Sequence, residues 1–99
     1  MIIGIAIFNV KRGSEAEGEE GIKDHLEFAK QHEGFIEGKV LRSKTIQGQY
    51  MLYMEFENEE HYFSMGDKLK EESAQNPAEF QKFFALMSKE PTFGTFEVI

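Results

Sequence analysis

The chain of 99 residues contains no cysteine and no tryptophan. Without thiols there are no disulfides, no thiolate nucleophile and no zinc–thiolate site. Proline occurs only at Pro77 and Pro91. Basic residues are scarce: 11 Lys and Arg stand against 18 Asp and Glu, a net charge of −7. That balance argues against nucleic acid or an anionic membrane as partner, since both select a basic surface. No apolar run approaches the ~20 residues of a membrane span. The first ten residues are apolar, but no basic region precedes them and no small-residue cleavage site follows. They read as a strand rather than a signal peptide, and the expected location is cytoplasmic. Hydrophobic residues make up 40% and charged residues 29%, an ordinary globular composition. The length fits one domain over residues 1–99.

The segment 1–11 alternates Ile3, Ile5 and Ile7 with Ile2, Gly4, Ala6, Phe8 and Val10. Both faces are apolar, which predicts a central strand. Residues 12–18 read as a polar loop. The spacing of Ile22, Leu26 and Ala29, with His25 beside them, predicts a helix over about 19–33, stopped by Gly34. Residues 35–43 and 50–56 read as two strands around a turn at Gln47-Gly48-Gln49, an antiparallel hairpin. Asn58 is placed to cap a second helix, with Glu59 and Glu60 at its positive end. Tyr62, Met65, Gly66 and Leu69 share its apolar stripe. Gly66 costs about 1 kcal/mol there relative to Ala, so a close packing contact is expected at it. The polar run 71–76 is expected to break the helix. Pro77 then opens a third helix with Phe80, Phe83, Phe84 and Met87 on one stripe. Pro91 ends it, and a last strand runs over 92–99.

The order β-α-β-β-α-(α)-β predicts an α+β, ferredoxin-like split βαβ fold: a four-stranded antiparallel sheet with helices on one face. The other sheet face should then be polar, yet the strands are apolar on both sides. A bare patch of that kind is rare on soluble monomers. A second copy of the chain is therefore expected to cover it, giving a twofold homodimer with sheets packed face to face.

The opening strand running into Val10-Lys11-Arg12-Gly13, the turn Glu33-Gly34-Phe35-Ile36, the segment Met54-Glu55-Phe56-Glu57-Asn58-Glu59-Glu60, and the stretches from Asn76-Pro77 to Pro91-Thr92 carry a resemblance. The chain resembles the antibiotic biosynthesis monooxygenase domain family, within the dimeric α/β-barrel superfamily. These residues are hinges, caps and core positions, so the likeness speaks to fold more than to chemistry. It implies a pocket between the sheet and the helices. It also implies cofactor-independent oxygenation of a small aromatic or quinol-type substrate, in which the substrate itself reduces oxygen and the protein binds, desolvates and deprotonates it. A haem-degrading branch carries Asn on the first strand, Trp on the second helix and His about ten residues later. The matching places here hold Ala6, Met65 and about Gln75, so that trio is absent and no cofactor is expected.

If the resemblance fixes the faces, the even positions of the first strand point to the helices. Gly4 and Ala6 then leave space between Ile2 and Phe8, either for a ligand or for the close approach of a helix. The expected pocket residues are Gly4, Ala6, Phe8, Tyr62, Met65, Leu69 and Phe83. His25 is the candidate catalytic base, since an imidazole exchanges protons near neutral pH. Its alternative is a helix–sheet border residue bonded to a backbone carbonyl. His25, His32 and His61 lack metal-ligand spacing, and no metal site is expected. The expected partners are a second copy of the chain and a small apolar or aromatic molecule. The missing polar trio keeps a second reading open: a non-catalytic dimeric ligand-binding or stress-associated protein. Oxygen uptake with quinols separates the two.

Overall fold

A computed structural model describes residues 1–99. The elements are β1 (Ile2–Asn9), α1 (Glu15–Lys30), β2 (Phe35–Arg42), β3 (Gln49–Phe56), α2 (Glu59–Gln75), α3 (Pro77–Ala85) and β4 (Thr92–Glu97). The four strands form one antiparallel sheet in the order β2-β3-β1-β4. This is the predicted α+β ferredoxin-like arrangement, with β1 in the centre.

The pleat sorts the side chains. Gly4, Ala6, Phe8, Tyr50, Leu52, Met54 and Phe56 are buried on one face of β1 and β3. Ile22, Leu26 and Ala29 of α1, Met65 of α2 and Phe83 of α3 close over that face in a single core. Phe56 and Ile22 are completely buried, each contributing about 2–3 kcal/mol by removal from water. No charged or polar residue is buried. The positions between them, Ile5, Ile7, Met51 and Tyr53, are half-buried on the face without helices.

Several boundaries differ from those expected. The first helix begins at Glu15, four residues early, and ends at Lys30. Gly18 suggests a loop in the sequence, but it lies inside the helix, against Val10. A Cβ there would stand 2.6 Å from Val10 Cγ2, so the residue lets the helix approach the strand end. Gly34 follows the helix with φ +87°, a conformation glycine adopts freely, and a side chain there would strike the His61 ring. The second helix does not break at residue 71; it continues to Gln75. Its exposed last turns need no apolar stripe. Asn76 ends it, since a residue before proline is driven out of the helical region. A Cβ added at Gly66 would meet no heavy atom within 4 Å, so no close contact requires glycine there. The last strand stops at Glu97, short of the chain end. The Asn58 cap forms as expected: its Oδ1 accepts from the His61 amide at 3.0 Å.

The segment after α3 clasps the end of β1. The Lys11 amide donates to the Leu86 carbonyl at 2.8 Å, and the Ser88 amide donates to the Asn9 carbonyl at 2.8 Å. Met87 is buried beneath this clasp.

Candidate functional site

Helices α1 and α3 pack on the sheet with a groove between them, closed at one end by the last turns of α2. Its volume is about 780 Å³. The apolar lining is Phe28, Leu69, Phe80, Phe83 and Leu86, with His25 among them. From α1 the groove receives residues at 16, 17, 20, 21, 24, 25 and 28, the spacing of one helical face. Gly21 admits the Phe83 ring; a Cβ at that position would collide with it. The two helices are thereby brought together at the base of the groove.

His25 is fixed by its own helix. Nδ1 lies 2.8 Å from the Gly21 carbonyl oxygen. A carbonyl only accepts, so Nδ1 carries the proton and the neutral ring keeps its lone pair on Nε2. Three phenyl rings surround the imidazole. Phe83 lies at 4.8 Å between centroids, Phe80 at 6.0 Å edge-on and Phe8 at 6.4 Å. Nε2 has no hydrogen-bond partner within the chain. One nitrogen thus satisfies a backbone carbonyl, as the border reading expects, and the other is left without a partner in the chain.

The remaining expected pocket residues separate into two groups. Leu69 and Phe83 line the groove with His25. Phe8 stands behind them, edge-on to Phe83 at 5.8 Å. Ala6 and Met65 are buried in the core. The space over Gly4 is filled: the Tyr62 ring occupies it, packed edge-on against Phe56 at 5.6 Å. So the opening is not over Gly4 and Ala6, as the small side chains suggest, but between the helices above Phe8. Met65, at the tryptophan place of the haem-degrading branch, is 6% exposed and belongs to the core. No cluster of three or more His, Asp or Glu is arranged to hold a metal ion.

Sequence reasoning did not single out the groove's rim. Glu17, Glu20 and Asp24 come from α1, Glu72 from α2, Glu79 and Lys82 from α3. The signal was available in the 17–20–24 spacing. The perturbed acids lie elsewhere. The Arg42 guanidinium bonds Glu19 and holds its carboxyl below the usual range, while Glu19 raises Arg42. This pair ties α1 to the β2–β3 hairpin. On the bare sheet face, burial and then the Glu55 carboxylate push the Tyr53 phenol up. Tyr53 donates to Glu55 at 3.2 Å.

A four-stranded antiparallel sheet with helices on one face and a helix-side cavity defines a ferredoxin-like α+β protein. The family model for antibiotic biosynthesis monooxygenases matches residues 1–64. The chain belongs to that family. No curated protein matches it in sequence. Among solved structures, a family protein from Caulobacter crescentus is similar with TM-score 0.79 at 21% identity, covering 99% of this chain and 89% of that one. One from Nitrosomonas europaea has TM-score 0.76 at 15% identity, with 100% and 99% covered. SnoaB of Streptomyces nogalater, a cofactor-independent oxygenase, has TM-score 0.77 at 16% identity, with 99% and 92% covered. At such identities the likeness establishes the fold. No helix is long and apolar enough to cross a membrane.

Proposed function

We propose that the protein is a cytoplasmic, cofactor-independent oxygenase that takes a small aromatic or quinol-type molecule into the groove over His25. The carrying observation is the His25 geometry: Nδ1 bonded to the Gly21 carbonyl and Nε2 unpartnered among phenyl rings. Membership of the monooxygenase family supports the reaction class, and the fold is shared with an oxygenase that uses no cofactor.

In this reading the substrate ring stacks on the phenyl groups, and Nε2 accepts its hydroxyl proton. The anion so formed is electron-rich and passes an electron to oxygen. The apolar floor keeps water from stabilising that anion, and so favours the electron transfer. Leu69 and Phe83 bind the substrate; Phe8 backs Phe83 and the imidazole. Gly4, Ala6, Tyr62 and Met65 hold the sheet–helix packing beneath. The working unit is a homodimer joined through the bare sheet face, which carries Ile5, Ile7, Leu41, Met51 and Phe96.

Oxygen uptake with a panel of quinols tests the enzyme reading. The native protein should exceed the uncatalysed rate, and His25→Ala should lose about a hundredfold, within the usual range for a general base. Equal rates for the two proteins would overturn the role of His25. Absence of uptake, together with binding of a flat apolar ligand, would make this a ligand-binding protein without chemistry.

A further inference from the structure

The groove combines an aromatic floor with a rim of one sign. Five carboxylates border it, Glu17, Glu20, Asp24, Glu72 and Glu79, against the single ammonium of Lys82. None of the five takes part in an ion pair. The acids that do are Glu19, Glu27, Glu37 and Glu57, all outside the groove. A share of the chain's acidic excess, five carboxylates against one ammonium, is therefore left unneutralised where the cavity opens. A concave site lined by one sign of charge concentrates ligands of the opposite sign. Phenyl faces beneath such a rim add to this, because an aromatic ring attracts a cation to its face.

From the aromatic floor and the unpaired rim together, we infer that the groove selects a flat aromatic ligand that carries a positive charge, a protonated amine or a heteroaromatic cation. This inference rests on the groove being the substrate site, and it deepens that reading. It also removes a difficulty in it. Deprotonation by His25 moves the proton to Nε2; the five carboxylates favour the imidazolium so formed and repel the substrate anion. A positive charge on the same molecule offsets that repulsion, so proton loss leaves a ligand of zero net charge. A substrate bearing a carboxylate or sulfonate is disfavoured by the same field.

Three acridines of similar shape test this with the full chain. In mildly alkaline buffer proflavine is cationic, acridine is neutral and acridine carboxylate is anionic. Fluorescence titration at low salt should show proflavine binding at least tenfold more tightly than acridine, and the carboxylate most weakly. Exposed charges are screened beyond a Debye length of ~8 Å at physiological ionic strength, so the preference should narrow in high salt. The triple variant Glu20→Gln, Asp24→Asn, Glu79→Gln should bring proflavine to within about threefold of acridine and leave acridine unchanged. The control Glu59→Gln, Glu60→Gln, at the far end of α2, should behave as the native protein. Equal binding of all three dyes would overturn the charge selection and leave the groove as a ligand site. An equal loss in the control would also overturn it, because the cation would then be reading general surface charge. If no dye binds, the groove is not the ligand site and the parent reading falls.

Discussion

The two faces of the sheet are built from the same strands and finished in different ways. On the helix side, Phe8, Tyr50, Leu52, Met54 and Phe56 are all less than a tenth exposed. On the other side Ile3 is buried, but Ile5, Ile7, Met51 and Tyr53 are half-buried, beside Leu41 at 43% and Phe96 at 55% exposure. The backbone hydrogen bonding is common to both, so the pleat alone does not decide burial. What differs is that the chain supplies its own cover, through α1, α2 and α3, to one face only. The second face carries large apolar side chains beside Glu55 and Lys39, and no helix of the chain covers it.

Substitutions on each side should therefore report different quantities. Phe56→Ala removes a fully buried ring from the sealed face and should cost about 3–5 kcal/mol of stability, read from urea unfolding. Ile5→Glu places a charge at the centre of the open face. If a second copy covers that face, the native protein is a dimer at micromolar concentration. The substitution should then raise the dissociation constant at least a hundredfold, about 2.7 kcal/mol, as seen by sedimentation. The circular dichroism of the subunit should be unchanged. A native protein that sediments as a monomer would remove the second half of the comparison. The smallest change lies outside both faces. Gly66 is helical and a Cβ there would meet nothing, so Gly66→Ala should stabilise by up to about 1 kcal/mol, a small rise in melting temperature. A loss of stability there would mean that α2 packs more closely than the structure shows.

Much of this division was legible from alternation. Ile3, Ile5 and Ile7 against Gly4, Ala6 and Phe8 place β1 at the sheet centre, and the Asn58 and Pro77 signals mark two helix starts. The errors have a common origin. Gly18 and residues 71–75 look like breaks because glycine and polar runs weaken a helix locally. Tertiary contact with Val10 holds the first, and exposed helical turns tolerate the second. The site was less legible than the fold. His25, Leu69 and Phe83 were identifiable from their stripes, but the opening depends on how far α1 and α3 stand apart. That separation follows from the Phe83 ring entering the notch at Gly21, a long-range fit that no local pattern encodes. Tyr62 over Gly4 is the converse case: a gap implied by small residues is taken by a side chain 58 positions away in sequence.

The pairing of β1 bears on how the protein is made. β1 lies between β3 and β4, with Ile3 opposite Glu55 and Phe96, and its end is clasped by residues 86–88. Neither edge of β1 can be satisfied by its sequence neighbours. Pairings of such long separation form slowly, and an unpaired apolar strand is prone to sticking to other chains. β1 thus stays unpaired until β3 and β4, both distant in sequence, have joined it. Yield in the cell should accordingly depend on early shielding of β1 as well as on the stability of the finished fold.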